Sequence, residues 1–496
     1  MKNFNDLFIF ELANNHQGDV KHGIKIIDAM GEISRKYKLN AAVKLQYRHL
    51  DSFIHPKYRN DKEAKHISRF LNTELKPDQF LELVKAIKAN GLTTVCTPFD
   101  EESVDLILEH QIDVIKIASC SADDWPLLQK IIITQKPVIA STGGLNIVQI
   151  DNLVSFLSRR DNNFAILHCV GIYPSPNETL NLNFLKKLIR RYPSVPIGYS
   201  GHETPENTDV IKIAIALGAG IFERHVGVPT ETITLNKYSM NPGQVEKWVQ
   251  ASITAKEILG SDEKVISKDE KASLLSLKRG VFAKGKIKKG EALTREKVFF
   301  AMPCGDGQLN SGEFGKYRSS FVASKDYQAN DAVFEPAQND SYHNIREIIH
   351  DAKGMLAEAG IVLSENANVE LSHHYGLEKF RQYGCLIVNL VNREYCKKII
   401  VVFADQTHPE QYHIKKEETF HILKGELIAS INGIERILNE GDILTIERGD
   451  RHAFKSNTGC IIEEVSTTHF RNDSFYTDPA IAIEDPMTRK TVLDKF

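Results

Sequence analysis

Short apolar runs rich in β-branched residues recur through the first 260 residues, separated by stretches of helical period. In chain order the runs are Leu7 to Phe10, Ala41 to Leu45, Thr93 to Thr97, Val114 to Ala118, Val138 to Ala140, Phe164 to His168, Ile197 to Ser200 and Ile221 to Phe222. Between them lie helical stretches such as Val20 to Lys38, Pro77 to Asn90 and Ile147 to Arg160. Strands that are apolar throughout are buried on both faces. Their alternation with helices eight times over predicts an α/β fold, a (β/α)8 TIM barrel, whose active sites lie at the carboxyl ends of the strands.

Each predicted strand gives way to polar residues. Glu11 follows the first; Lys44 and Gln46 end the second, Thr97 the third, Lys116 and Ser119 the fourth. Ser141 and two glycines follow the fifth, His168 and Tyr173 the sixth, Ser200 and His202 the seventh, Glu223 and His225 the eighth. One polar strand end is ordinary capping. Eight on one rim, with lysines embedded in apolar runs, point to a catalytic mouth, because a buried lysine costs several kcal/mol unless paired.

The residue types suggest the chemistry. Lys44, Lys116, Thr97, Ser119, Ser141 and Ser200, with the glycines after Ser141, offer cations, hydroxyls and amides suited to a phosphate or carboxylate. If the last two strands are neighbours, His202 and His225 leave the sheet at one edge and suit a borderline metal that polarises a carbonyl. The alternative for either histidine is a backbone cap. Glu11 is open to three roles: third ligand, acid or base.

The strings Glu11 to Gly18 (ELANNHQG), Lys44 to Gln46 (KLQ), Thr97 to Asp100 (TPFD), Lys116 to Ser119 (KIAS), Ser141 to Gly144 (STGG), Tyr199 to His202 (YSGH) and Glu223 to His225 (ERH) resemble the sialic acid synthase family. Leu167 to Cys169, with Tyr173-Pro174, belongs to the same series, and the match runs in order through the whole barrel. The resemblance implies condensation of phosphoenolpyruvate with an open-chain aldose, giving a 2-keto-3-deoxy sugar acid and phosphate. It implies His202 and His225 as ligands of Mn2+ or Mg2+, with Glu11, Lys44 and Lys116 as the catalytic group. Thr97, Ser119, Ser141, Tyr173, Ser200 and Asn236 follow as substrate-binding residues.

Four positions depart from the family pattern. Ser121 stands where an acid is usual, Gly171 where a hydroxyl or amide is usual, and Asn236 for an aspartate. Met302 stands where the family's terminal domain offers an arginine to the acceptor's N-acyl group, and methionine cannot donate a hydrogen bond. These departures lie on the acceptor side, so the expected acceptor is not N-acetylmannosamine.

Beyond the barrel, residues 1–260, a polar stretch at 261–276 reads as a linker. Residues 277–337, with Lys278-Arg279-Gly280 and Lys288-Lys289-Gly290-Glu291, resemble the antifreeze-like SAF domain of sialic acid synthases, which implies a domain-swapped homodimer. Residues 338–382 are expected to be a helical linker, with an apolar stripe from Ile345 to Leu356. Residues 383–496 turn to short strands with glycine turns, the pattern of an antiparallel β-barrel.

Within that last region Gln411 to Glu418 and Gly441 to His452 resemble the two cupin motifs. The resemblance implies that His413, Glu418 and His452 hold a second divalent metal, with Gln411 at the position of the usual first histidine. His373 to Gly376, Asn392 to Tyr395 and Glu463 to His469 look like sugar-isomerase cupins of the D-lyxose isomerase kind. Two rival readings follow: a bifunctional isomerase and synthase, or a non-catalytic sugar-binding protein.

Composition narrows the partners. A net charge of -3 argues against a nucleic-acid footprint. No apolar run approaches 18 residues and the start lacks a signal-peptide pattern, so the expected location is cytoplasmic, with no membrane partner. Seven cysteines without a CxxC pair read as small core residues. A role in surface polysaccharide synthesis follows from the family resemblance alone.

Overall fold

The structure is a computed structural model and describes residues 4–59, 66–159, 163–316, 320–338, 341–364 and 367–496. The predicted helix end at Arg160 lies outside them. The eight apolar runs form β1 (Leu7–Glu11), β2 (Asn40–Tyr47), β3 (Thr93–Pro98), β4 (Val114–Ile117), β5 (Val138–Ser141), β6 (Phe164–Cys169), β7 (Ile197–Gly201) and β8 (Ile221–His225). They pair in sequence order and close, β1 lying parallel to both β2 and β8.

Side chains alternate faces along a strand, so one set from each strand looks into the barrel. Leu7, Ile9, Ala42, Val95, Val114, Ile139, Ala165, Leu167 and Ile221 form an apolar cluster of their own. Two residues farther along the same faces stand Glu11, Lys44, Thr97, Lys116, Ser141, Cys169 and Glu223, all buried. The barrel interior is therefore hydrocarbon below and polar above. The opposite strand faces, including Phe8, Phe10, Val43, Ile115 and Ile166, pack on the surrounding helices in one large core. Helix starts are set by capping side chains: Asp19 accepts from Lys21 N at 2.8 Å, and Asp100 accepts from Ser103 N at 2.7 Å.

The chain divides into two compact units, residues 1–264 and 265–496. In the second, Lys268–Leu277 is helical although its sequence lacks a clear apolar period. Ser267 starts it by accepting from Glu270 N at 3.0 Å, and none of its residues is buried. Gly280–Ala283 and Val298–Ala301 pair antiparallel over a small core that includes Val281, Ile287, Leu293 and Phe321. The helix Ser341–Glu358 lays Ile348, Ile349, Ala352 and Leu356 against Val369, Leu371 and Val388.

A seven-stranded and a five-stranded antiparallel sheet complete this unit. Strands Glu418–Gly425, Cys460–Thr467, Tyr395–Val402 and Gly384–Asn392 lie side by side in the first. Leu427–Ile431, His452–Ser456 and Gln406–Tyr412 do so in the second. Val402, Phe420, Ile422, Leu427, Ala429 and Phe454 belong to one apolar cluster drawn from both sheets. Cys120 is exposed, whereas the other six cysteines are buried and free. Among the described residues no helix is long and apolar enough to cross a membrane.

Candidate active site

Register brings the charged residues of the polar layer together. Glu11 is level with Lys44 on one side and His225 on the other. Lys44 Nζ lies 2.5 Å from Glu11 Oε2 and 2.7 Å from Glu223 Oε1, and Ser200 donates to the same Glu223 oxygen at 3.0 Å. Lys116 Nζ donates to Ser141 Oγ at 2.5 Å and to the Ile117 carbonyl at 3.1 Å, with Glu223 Oε2 at 4.0 Å.

Burial and these partners set the charges. Burial opposes the charged form of Lys44, but the two carboxylates beside it outweigh that and hold its pKa above the ordinary lysine range. Lys116 has weaker compensation, and burial pulls it down to about 8. Burial works against ionised Glu223 too, yet Lys116 and Lys44 prevail and hold it at about 2. Glu11 moves the other way: burial, helped by the neighbouring Glu223 charge, raises it despite Lys44.

Two buried oxygens in this layer, Thr97 Oγ1 and Glu223 Oε2, have no hydrogen-bond partner among the described residues. Buried polar atoms are rarely left unpaired, so both are candidates for ligand contacts. Ser119 Oγ accepts from Gly143 N at 3.0 Å. A Cβ on Gly143 would fall 2.8 Å from that hydroxyl, so the loop can approach Ser119 only as glycine. The layer opens into a cavity of about 1800 Å³ that also reaches Tyr173, Asn236 and Tyr238.

His202 and His225 stand above the floor with ring centroids 5.3 Å apart. His202 Nδ1 lies 3.1 Å from the Val170 carbonyl, which fixes that nitrogen as the donor and leaves Nε2 with a lone pair. Burial lowers His202 to about 4 and holds His225 well below the usual histidine value, so both rings are neutral at pH 7. Tyr173 and Tyr238 pack on them, with centroids 4.2 Å from His202 and 5.0 Å from His225 respectively. Two neutral, oriented imidazoles on adjacent strand ends fit a borderline divalent ion. Glu11 is otherwise engaged: Oε1 accepts from Ala13 N at 2.7 Å and Oε2 faces Lys44.

Three features of the barrel's rim had no role assigned from sequence: Glu223, the Arg224–Glu203 pair and Arg48. Glu223, the counter-ion of both lysines, sits two residues before His225 and so on the same inner face. Arg224 points the other way and forms a buried pair with Glu203, donating also to the Glu203 carbonyl at 2.7 Å. Tyr199 donates to Glu203 at 3.1 Å. This pair fixes the turn that carries His202. The third, Arg48, is the first residue past the carboxyl end of β2.

In the second unit, His413, Glu418 and His452 bring one ligand atom each within 4.8 Å of one another, all three residues buried. His413 Nε2 is 3.2 Å from Glu418 Oε1, and His452 Nε2 is 3.4 Å from Glu418 Oε2. His413 Nδ1 faces the Asp473 carbonyl and His452 Nδ1 faces the Asp450 carbonyl, so both rings present Nε2 inward. Gln411 pairs with His452 across the strand ladder, and its Oε1 has no partner among the described residues. His413 Nε2 and Glu418 Oε2 are likewise unpartnered and buried. His413, Glu418 and His452, buried with ligand atoms facing one another, fit a metal ion, and Gln411 stands beside them with its Nε2 3.4 Å from His452 Nε2. Beside them Lys416 pairs with Glu418 and, at 3.2 Å, with Glu464, which Lys398 also pairs with at 3.1 Å and to which Ser466 donates at 3.0 Å.

A closed parallel barrel with lysines, hydroxyls and paired histidines gathered at its carboxyl end has the layout of a (β/α)8 enzyme. The model of the NeuB family matches residues 36–264, and that of the cupin domain matches residues 400–461. The chain is 31% identical over 304 residues to an uncharacterised protein of Methanocaldococcus jannaschii, spanning 60% of this chain and 84% of that one. It is 27% identical to the N,N'-diacetyllegionaminic acid synthase of Campylobacter jejuni, over 66% of this chain and 99% of the synthase. A crystal structure from Chromobacterium violaceum, described as spore coat polysaccharide biosynthesis protein E, is 46% identical. It superposes with a TM-score of 0.64 over 66% of this chain and 98% of its own. The chain belongs to the NeuB family. It is a sialic-acid-synthase-like transferase with a cupin domain.

Proposed function

We propose that the barrel condenses phosphoenolpyruvate with an open-chain aldose other than N-acetylmannosamine, giving a 2-keto-3-deoxy acid and phosphate. The observation that carries this is the polar layer, in which Lys116, Ser141, Ser119 and the unpaired Thr97 hydroxyl surround a space suited to a small dianion. Lys116 and the hydroxyls bind the donor's anionic groups, and Lys44, clamped by Glu11 and Glu223, adds fixed positive charge beside them. The donor's enol carbon attacks the aldehyde carbon, water adds to C2, and phosphate leaves. Glu11, beside Lys44 and level with His225, is the carboxylate placed to take up and pass on protons during the addition, its affinity for them raised by burial. His202 and His225 would hold Mn2+ or Mg2+, which when bound would supply Lewis acidity at the aldehyde oxygen.

The acceptor reading rests on what surrounds the departures. Asn236 Oδ1 accepts from Tyr238 N at 3.1 Å and Ser239 N at 2.8 Å, so that oxygen is spent on its own turn. A Cβ at Gly171 would meet no atom within 4 Å, which leaves room where a side chain would hold an N-acyl group. The test is incubation with phosphoenolpyruvate, Mn2+ and a panel of aldoses. Phosphate release with some aldose but not fastest with N-acetylmannosamine supports the reading; fastest release with N-acetylmannosamine overturns the acceptor assignment.

A second activity is favoured by the convergence of His413, Glu418 and His452 on one point, with Gln411 beside His452. With a divalent ion there, and Lys416 with Glu464 beside it as proton-handling groups, the cupin is suited to isomerise a ketose into the aldose that the barrel consumes. His452→Ala should then abolish use of the ketose and spare use of the aldose. The remaining parts of the reading are a SAF-like module at residues 277–337, a homodimer and a cytoplasmic setting; light scattering of the purified chain tests the dimer.

A further inference from the structure

Arg48 is held in an unusual way. Its guanidinium carbon lies 4.1 Å from the Phe70 ring centroid and 3.7 Å from that of Phe99, a sandwich of two aromatic rings. One Nη donates to Gln46 Oε1 at 2.8 Å, while Nε is buried without a partner. Among the described residues no carboxylate forms an ion pair with it. Burial lowers its pKa to about 10, so it remains a cation at neutral pH but a poorly solvated one. A planar guanidinium fixed between rings, with donors to spare, is organised for a carboxylate or phosphate.

Its position just past the carboxyl end of β2 says which substrate carries that anion. Lys44 and Gln46 are alternate residues of β2, and Arg48 is the first residue beyond its carboxyl end. Gln46 Nε2 is 3.4 Å from Glu11 Oε2, so contacts run from the Glu11 and Lys44 floor through Gln46 to Arg48 at the mouth. At about 3.3 Å of rise per residue, the end of β2 at Tyr47 lies roughly 10 Å farther out than Lys44, and Arg48 starts beyond it. The donor occupies the floor, and carbon–carbon bond formation requires the acceptor's aldehyde to face it. The acceptor's far end therefore points to Arg48. The charge balance agrees: Glu11 and Glu223 are the only carboxylates lining the cavity among the described residues. Both face the floor lysines, whereas Arg48, Arg69 and Lys187 also line it.

Resting on the synthase reading, we propose that the acceptor is an acidic aldose, bearing a phosphate or carboxylate at the end remote from its aldehyde, and that Arg48 reads that group. Neutral aldoses leave the sandwiched guanidinium desolvated and unpaired, which is the basis of discrimination.

The experiment uses the full chain with Mn2+ and phosphoenolpyruvate, and compares mannose with mannose 6-phosphate and mannuronic acid, and arabinose with arabinose 5-phosphate. The expected result is a kcat/KM at least about 30-fold higher for an acidic form than for its neutral partner, the size of a charge-assisted bidentate contact. Preference for the ester assigns a phosphate, and preference for the uronic acid a carboxylate. Arg48→Gln should erase the preference, with the loss in acceptor KM rather than in the KM for phosphoenolpyruvate, and Arg48→Lys should restore part of it. Wild-type preference for the neutral sugars overturns the proposal, as does an equal rise in the KM for phosphoenolpyruvate in Arg48→Gln. If no aldose supports consumption of phosphoenolpyruvate, the synthase reading itself falls. Calorimetric binding of mannose 6-phosphate and mannuronic acid then decides the Arg48 assignment: binding lost in Arg48→Gln upholds it, and no binding by the wild type overturns it.

Discussion

Glu223 Oε1 sits 2.7 Å from Lys44 Nζ, joining the last barrel strand to the second across the end of β1. Closure of the sheet makes this contact, because β1 pairs with both neighbours and 179 residues separate the two side chains. The pair organises the floor: Lys44 stays charged, Glu223 stays ionised, and Lys116 finds its nearest anion at 4.0 Å.

Glu223→Gln keeps the shape and removes that anion. Two buried lysines are then left with Glu11 alone. Stability to urea should fall by about 3 kcal/mol, as expected when one partner of a buried ionic cluster is removed. An unchanged denaturation midpoint would show that water compensates the lysines.

Binding of phosphoenolpyruvate should weaken at alkaline pH. Lys116 titrates near 8 because it is buried, and deprotonation removes a positive charge facing an anion. Below pH 8 it is charged and the KM is flat; above it the KM should rise about tenfold per pH unit. By linkage, binding at pH 9 takes up a proton, measurable by calorimetry in buffers of different ionisation enthalpy. Lys116→Met should show a raised KM that no longer changes between pH 7 and 9.

Metal content separates the two histidine sites. The full chain is expected to bind two divalent ions per polypeptide, and His202→Ala or His452→Ala should each leave one. The double variant should bind none above background. Retention of two ions by either single variant would remove that site from the assignment. Elemental analysis after dialysis against Mn2+ provides the measurement.

Arg224 and Glu203 form a buried pair behind the His202 turn. Arg224→Met strands the Glu203 carboxylate and should cost about 3 to 5 kcal/mol, whereas the double change to Met and Gln should cost clearly less. Because Glu203 adjoins His202, the single variant should also require more Mn2+ for half-maximal activity. A loss of stability with unchanged metal dependence would confine the pair to a structural role.

The barrel was legible in the chain because parallel strands buried on both faces are apolar throughout, and their ends change character abruptly. The position of each polar residue two steps beyond an apolar one made Glu11, Lys44, Thr97, Lys116 and Ser141 visible as one rim. Strands such as Gln406–Tyr412 and Ile434–Leu438 were harder to see: the first is polar despite partial burial and the second is mostly exposed, so neither carries a clean apolar alternation. The helix at Lys268–Leu277 buries none of its residues and left no stripe to read.

What the amino-acid sequence determined by itself was the kind of groups available and the strand ends that carry them, since periodicity and strand polarity are local properties. Which groups touch was decided only by closure of the barrel and by the strand register of the C-terminal unit. Coulombic pairing, burial and ligand convergence depend on distances between residues far apart in the chain. Glu223 between two lysines, Arg48 between two phenylalanines, and the inward Nε2 atoms of His413 and His452 therefore belong to the tertiary structure.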